Sequence, residues 1–251
     1  MKTRQKIRRA LAITSTAAFP VTLYYFSPLL SINGLAAGVV TGSLAMFGML
    51  FLASLVLGRA FCAWACPAGA VQELVRGFKG RAVGPAAGRR RIRWIKWLLW
   101  TPWVLGLVLI TVRAGGVRAV DLTWMTWHGI SVTDVPGVIA LVSVTALMAG
   151  LALAVGRRAA CHTVCWMAPF MILGRRLRNL FGWPSLELEV DAGACAACGA
   201  CTKGCPMSID VQRMVQATHA GRAEDSDCIL CASCVDGCSR GAIRMAFRSG
   251  H

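Results

Sequence analysis

CAACGACTKGCP at residues 195–206 and CILCASCVDGC at residues 228–238 repeat one cysteine pattern. In each stretch three cysteines are separated by two residues, and a fourth follows after three more. A cubane cluster needs four tetrahedrally placed thiolates, so three close cysteines wrap one side and a distant fourth closes the cage. Zinc sites use two separated pairs and suit this pattern badly. The pattern predicts two [4Fe–4S] clusters in a small α+β ferredoxin-like domain over residues 184–251.

The fourth cysteine of each run is expected to serve the cluster of the other run, as in two-cluster ferredoxins. The first predicted ligand set is Cys195, Cys198, Cys201 and Cys238. The second predicted ligand set is Cys228, Cys231, Cys234 and Cys205. Ser239 follows the last cysteine, where the first run has Pro206, and this difference removes no ligand.

The rest of the chain has the composition of a membrane protein. Of the 251 residues, 56% are hydrophobic and only 15% are charged, which is unusual for a soluble domain. Residues 1–183 are therefore predicted to form an α-helical membrane bundle with four transmembrane helices. The four predicted spans are Ala10–Ile32, Gly34–Leu57, Trp94–Val112 and Pro136–Val155. Gly34, Gly38 and Gly42 form either a stripe for close helix packing or merely glycines tolerated in lipid.

Basic residues are concentrated outside the ferredoxin-like domain. Residues 187–251 hold 6 Lys+Arg and 8 Asp+Glu, whereas residues 1–186 hold 21 and 3. These cations flank apolar stretches and do not alternate with aromatic residues on a polar face, so nucleic-acid binding is not expected. The N-terminal tail, the loop between spans two and three and the segment after span four are basic, whereas loop 113–135 is balanced. Since Lys/Arg excess marks the cytoplasmic side, we expect a multi-pass protein of the bacterial inner membrane, with both termini and the ferredoxin-like domain in the cytoplasm.

Two further cysteine pairs follow spans two and four. Residues 59–67 read RAFCAWACP and residues 158–165 read RAACHTVC, so both contain Arg-Ala-x-Cys-x3-Cys. The repeat predicts a duplicated helix pair related by an axis along the membrane normal, which would bring both pairs to one depth. The candidates for a shared redox site or third metal centre are Cys62, Cys66, Cys161 and Cys165. Arg59 and Arg158 are expected to keep these thiols ionised. A role in maturation and a structural role as small apolar residues remain open.

The four predicted spans, the two Cys-x3-Cys motifs and the two-cluster domain together resemble the NapH/MauN family of membrane ferredoxins, which is related to the membrane part of NosR. The resemblance covers nearly the whole chain. Cys66 is followed by Pro67, as in the Cys-x3-Cys-Pro motif of the family, whereas Cys165 is followed by Trp166. The resemblance implies an electron-transfer subunit, such as a quinol dehydrogenase component, rather than a stand-alone enzyme. Quinone is then a candidate further cofactor.

The predicted function is electron transfer between the membrane quinone pool and a redox partner, either a ferredoxin-like protein or a periplasmic reductase or dehydrogenase system. No catalytic residue is assigned. His128 beside Trp127 is a candidate proton acceptor for a quinol, although a solvated interfacial histidine is the more common case. One alternative is an assembly factor that supplies electrons for maturing a periplasmic metalloenzyme or quinone-cofactor enzyme. Another is an anchor for a separate catalytic subunit.

Overall fold

The computed structural model describes residues 2–75, 86–218 and 220–249. Part of the basic loop between the second and third predicted spans, residues 76–85, lies outside these ranges. The helices of the N-terminal part are α1 (Thr3–Ala17), α2 (Phe19–Thr22), α3 (Pro28–Ala36), α4 (Gly42–Leu57), α5 (Ala60–Trp64), α6 (Pro67–Val75), α7 (Ala86–Arg113), α8 (Val135–Ala154), α9 (Ala159–Thr163) and α10 (Met167–Phe181). Two short strands, β1 (Val39–Thr41) and β2 (Ala119–Asp121), pair in parallel.

Within the described residues, two helices are long and apolar enough to cross a membrane. They are Ile92–Arg113, which is most of α7, and α8, with mean hydropathies of 1.7 and 2.3. A helix of 20 residues is about 30 Å long, the thickness of the hydrocarbon core. Only 11% and 17% of their apolar windows are buried, so neither is the enclosed core helix of a soluble protein. The third and fourth predicted spans are thus confirmed as apolar helices of spanning length.

The first predicted span is not one helix. Residues 10–32 are divided among α1, α2, a 3₁₀ turn at Leu23–Phe26 and α3. Pro20 lies in α2 and Pro28 begins α3, and proline lacks the N–H that a continuous helix needs at that position. At the end of the 3₁₀ turn, the Phe26 carbonyl accepts a hydrogen bond from Trp166 Nε1 at 2.6 Å. The prediction of one continuous spanning helix was therefore wrong. It rested on the high hydropathy of residues 10–32 and did not allow for the breaks at Pro20 and Pro28.

The second predicted span is also shorter than expected. Helix α4 has 16 residues and begins at Gly42 instead of Gly34. Gly34 belongs to α3, and Gly38 lies in the turn before β1 with φ +73°. A side chain at Gly34 would collide with Thr41, and one at Gly42 with the Leu122 carbonyl and Tyr25. The three glycines therefore do not form a stripe on one helix. Gly34 and Gly42 each allow a separate close contact, and Gly38 allows a turn.

The predicted duplication is visible as a repeated order of elements. In each repeat a long helix is followed by a five-residue helix that holds the first cysteine, and a third helix begins after the second cysteine. The two triplets are α4–α5–α6 and α8–α9–α10. Helix α10 of the second repeat packs on α4 of the first, and α6 of the first repeat packs on α8 of the second. The last helix of each repeat therefore packs on the long helix of the other. This exchange places the two cysteine pairs face to face.

The C-terminal part is a small α+β unit. Strands β3 (Ser185–Asp191), β4 (Ala220–Ala223) and β5 (Ile243–Arg248) form an antiparallel sheet in the order β4-β3-β5. Three short helices accompany it, namely α11 (Ala200–Gly204), α12 (Val211–Thr218) and α13 (Ser233–Gly237). The buried apolar core continues from Phe47 and Cys62 through to Leu188 and Ile229. The ferredoxin-like part is therefore packed directly on the helical part.

Candidate metal centres

The first predicted ligand set lies around one cavity beside α12 and α13. Its cysteines are Cys195, Cys198, Cys201 and Cys238, and every other lining residue also comes from residues 195–243. Three of the four sulfur-bearing residues are at least partly accessible, and Cys198 is exposed. The fold thus brings three cysteines of the first run together with the last cysteine of the second.

The second predicted set lies around a neighbouring cavity beneath β3. Its cysteines are Cys205, Cys228, Cys231 and Cys234. Burial raises the pKa of Cys205 to about 11 and that of Cys228 to about 12. Such thiols stay protonated in a dry site unless a positive partner such as a metal stabilises the thiolate. This set is therefore enclosed, whereas the first reaches the surface.

The donors suit a multi-iron group better than a single ion. All twelve cysteines are free thiols. Among the described residues, no group of three or more His, Cys, Asp or Glu side chains is arranged to hold one metal ion. Two cavities nevertheless carry four cysteines each, and the second is also lined by Met207 and Met214. Four thiolates spread around a cavity are the donor set of a [4Fe–4S] cluster.

The remaining four cysteines line a third cavity of about 280 Å³ between the two repeats. They are Cys62, Cys66, Cys161 and Cys165. Each pair straddles the break between two helices, so the two sulfurs do not share a helix face. The other walls are almost wholly apolar and include Phe19, Leu23, Val144 and Met148. The tertiary fold therefore places all four thiols on one apolar space.

Two polar contacts from α6 reach these thiols. Gln72 Nε2 donates to Cys161 Sγ at 3.3 Å, and Gln72 Oε1 accepts from the Ala160 N–H at 3.0 Å. The backbone N–H of Gly69 donates to Cys66 Sγ at 3.4 Å. Because α6 follows the first pair and contacts the second, it joins the two halves of the site.

Burial and the two arginines act in opposite directions on the pKa of these thiols. Arg158 Nη2 donates to Glu73 Oε2 at 2.7 Å, and its Nη1 donates to the Cys62 carbonyl at 2.7 Å. Burial raises the pKa of Cys62, although the charge of Arg59 opposes this, and burial raises the pKa of Cys165 to about 12. Burial therefore opposes the charge of the arginines at these thiols, and their role in keeping the thiols ionised toward a bound metal stays a prediction.

Arg59, whose charge acts on Cys62, Cys161 and Cys165, has buried donors that are not used. Its Nη1 donates to the Ser226 carbonyl at 2.8 Å. Its Nε and Nη2 are buried and have no hydrogen-bond partner in the part of the chain that the structure describes. A buried unpaired donor is costly, and the charge of Arg59 acts on Cys62. An anionic group held by the four thiols would fit this electrostatic environment.

A buried carboxylate at the boundary of the two parts escaped the sequence analysis. Asp227 is 1% exposed and lies 2.7 Å from Lys96 Nζ, 2.7 Å from Arg93 Nε and 3.3 Å from Arg59 Nη1. His162 Nδ1 lies 3.2 Å from Asp227 Oδ2, the oxygen that Arg93 also contacts. Burial raises the pKa of Asp227, but the hydrogen bond to His162 and the nearby cations hold it well below its ordinary range. The only sequence signal was its position directly before Cys228.

Several cations that were counted as membrane anchors are in fact buried partners of carboxylates. Arg8 and Arg158 pair with Glu73, and Arg59 pairs with Asp227. His128, by contrast, is exposed and stacks edge-on against Trp127 at 5.1 Å. It does not line the thiol cavity, so its position fits the solvated interpretation.

Comparison with known proteins gives two family models. A model described as "4Fe-4S binding domain" matches residues 39–85, and one described as "4Fe-4S dicluster domain" matches residues 194–243. The first range includes Cys62 and Cys66, and the second includes all eight ferredoxin-like cysteines. The chain therefore carries two [4Fe–4S] clusters. No solved structure matches the chain.

Two curated proteins are similar over most of the chain. The "Putative electron transport protein YccM" of Escherichia coli is 26% identical over 90% of this chain and 63% of its own length. The "Methylamine utilization ferredoxin-type protein MauN" of Methylobacillus flagellatus is 27% identical over 89% of this chain and 75% of its own length. The chain thus spans less than two thirds of the first relative. The chain is therefore homologous to YccM and MauN, and it contains the two iron–sulfur domains that the family models describe.

Proposed function

We propose that this protein is a membrane-bound relay that passes electrons between the quinone pool and a redox partner outside the lipid. The observation that carries the proposal is the apolar four-thiol cavity, which lies directly beneath the ferredoxin-like part. An apolar space at the ends of membrane helices suits a hydrophobic redox carrier. The neighbouring [4Fe–4S] clusters supply one-electron steps.

The proposed cluster ligands are the two sets that share cavities. Cys195, Cys198, Cys201 and Cys238 would hold one cluster. Cys205, Cys228, Cys231 and Cys234 would hold the other. The clusters supply reversible one-electron chemistry when bound, and the protein's part is to set their exposure and spacing.

The four remaining cysteines are proposed as a third redox centre. Cys62 and Cys161 come from different repeats yet line one cavity. The unpaired Nε and Nη2 of Arg59 support an anionic group there. The match of a 4Fe-4S binding model to residues 39–85 points in the same direction. A dithiol that cycles to a disulfide is the alternative form of the same centre.

The membrane arrangement is part of the proposal. Helices α7 and α8 would cross the lipid, with the ferredoxin-like part in the cytoplasm of a bacterium and α4 and the broken α1–α3 region completing the bundle. A reporter fused after residue 251 should then behave as cytoplasmic, and one inserted near Gly116 as external. The opposite pattern would refute the orientation.

The relay is tested with anaerobically purified full-length protein in detergent. Dithionite-reduced protein is mixed with a short-chain quinone, and reoxidation of the clusters is followed by absorbance and EPR. Two reduced clusters together supply the two electrons that convert one quinone to quinol, with two protons from water. The unsubstituted protein should be reoxidised rapidly.

Substitution of the cavity thiols locates the route. Cys62→Ala and Cys161→Ala should retain the irons of the ferredoxin-like part but slow reoxidation at least tenfold. Thr163→Ser is a matched control, because it lies in the same segment and keeps the hydroxyl that donates to the Ala159 carbonyl. Equal rates in all four proteins would refute a role of the cavity in the relay.

A further inference from the structure

The two predicted clusters have very different surroundings. One lies around cysteines that reach solvent, and the other lies against both Cys-x3-Cys segments. We propose that the cluster held by Cys205, Cys228, Cys231 and Cys234 is the one that exchanges electrons with the four-thiol cavity. The cluster held by Cys195, Cys198, Cys201 and Cys238 then exchanges electrons with a soluble one-electron carrier. This order rests on the proposed relay, and Asp227 and His162 are its positioning residues.

His162 makes the first connection. It lies between the two cysteines of the second Cys-x3-Cys segment and is fully buried. Its Nδ1 is 3.2 Å from Asp227, the residue before Cys228. Its Nε2 is 3.1 Å from the carbonyl oxygen of Met207, two residues after Cys205. One side chain thus touches both chain segments that carry the enclosed ligand set.

The first Cys-x3-Cys segment contacts the same ligand loop. Trp64, which lies between Cys62 and Cys66, donates from Nε1 to the Leu230 carbonyl at 3.3 Å. Arg59 donates to the Ser226 carbonyl at 2.8 Å. Both thiol pairs are therefore joined to the loop of residues 226–231 by direct hydrogen bonds.

Asp227 holds this loop in place. It pairs with Arg59 and His162 from the two Cys-x3-Cys segments, and with Arg93 and Lys96 from α7. Since these groups come from three separate elements of the helical part, one carboxylate fixes the loop against all of them. Electron transfer depends on distance, so a fixed loop keeps the path from the cavity to this cluster short.

The other ligand set reaches the surface. Cys198 is exposed, and the neighbouring Ala196, Ala197 and Ser239 are exposed as well. The small side chains of this rim, beside the exposed Arg240, allow the redox group of a second protein to approach Cys198 closely. A one-electron carrier that docks here would exchange electrons with the outer cluster without reaching the membrane.

The order is tested by the accessibility of each cluster to a dysprosium chelate dissolved in the water phase, read from EPR relaxation of the loaded protein. Cys228→Ala leaves the outer cluster, and its relaxation should be enhanced several-fold. Cys195→Ala leaves the inner cluster, which should respond weakly. If a variant does not fold, the unsubstituted protein should still show two relaxation classes. A single class, or the reverse assignment, would overturn the order.

The positioning role is tested with Asp227→Asn. The substitution should raise the midpoint potential of the inner cluster, because a negative charge is removed beside it, and should make that cluster more accessible to the chelate. The outer cluster should not change. Asp191→Asn is the control, since Asp191 is exposed in the same domain and its carboxylate accepts a hydrogen bond from the Gly193 N–H.

Two further outcomes separate this inference from the proposed function. If Asp227→Asn does not load iron, His162→Gln should still make the inner cluster more accessible to the chelate, because it removes the contacts to Asp227 and Met207. Unchanged accessibility in the loaded variant would overturn the role. Failure of quinone to reoxidise the protein would refute the relay, whereas the accessibility order is measured without quinone.

Discussion

The cysteines of the ferredoxin-like part lie in loops around a small sheet, whereas those of the Cys-x3-Cys pairs lie at breaks between helices. In the first region six of the eight predicted ligands are brought together by short spacing within a run. In the second region each pair contributes half of the thiols, and only the packing of α10 on α4 and α6 on α8 completes the cavity. The first site therefore depends mainly on local chain geometry, and the second depends on the whole helical part.

Iron loading should show the largest difference between the two regions. The protein purified without oxygen should hold about eight irons in the ferredoxin-like part, four per cluster. Cys205→Ala should remove the cluster that shares its cavity with Cys228, Cys231 and Cys234, so about four irons are lost. Iron analysis measures the number of irons lost, and EPR identifies the cluster that remains. Loss of the other cluster alone would refute the exchange of fourth cysteines between the runs.

The boundary between the regions should be the next most sensitive place. Asp227→Asn leaves Arg59 and Lys96 without the carboxylate that they contact, whereas Arg93 keeps Asp225. Breaking a buried ion pair typically costs about 3–5 kcal/mol. We expect a marked fall in the thermal unfolding temperature of the loaded protein. Asp191→Asn should leave that temperature nearly unchanged, and equal effects of both changes would contradict a clamp at Asp227.

Lowering the pH should destabilise the helical part, because Glu73 becomes protonated. Hydrogen bonds and charge from Arg8 and Arg158, working against burial, lower the pKa of Glu73 to about 2. A carboxyl whose pKa is lowered on folding stabilises the protein above its unfolded pKa of about 4.5, and this contribution is lost as the pH falls toward 2. Its size is about 2 kcal/mol after allowance for partial exposure. Glu73→Gln should flatten the stability profile between these pH values, and an unchanged profile would contradict the assignment.

The smallest effect is expected at the thiol cavity, for the substitution Gln72→Leu. Gln72→Leu removes the hydrogen bond to Cys161 and leaves the buried Ala160 N–H without its acceptor, at a cost of about 1–3 kcal/mol. Alkylation of Cys161 in the metal-free protein should become faster, while iron in the ferredoxin-like part stays constant. Leu74→Gln is the control, because Leu74 is exposed on the same helix. Equal alkylation rates would show that Gln72 does not shape this site.

Spacing and composition by themselves determined two [4Fe–4S] clusters, the α+β ferredoxin-like part and the apolar helices at residues 92–113 and 135–154. These features are local, because a cysteine run or an apolar helix needs little information from distant residues. The broken first span was readable in principle from Pro20 and Pro28. Mean hydropathy does not register such breaks.

The tertiary structure alone decided what surrounds the thiols. Nothing in the spacing of Cys62 or Cys161 indicated that Gln72 would join them, or that Glu73 would neutralise Arg158. Asp227 meets Arg59 and His162 only because the ferredoxin-like part packs on both Cys-x3-Cys segments. Buried charges must find partners wherever the fold places them. These pairings join residues more than 60 positions apart, so no local pattern in the sequence could predict them.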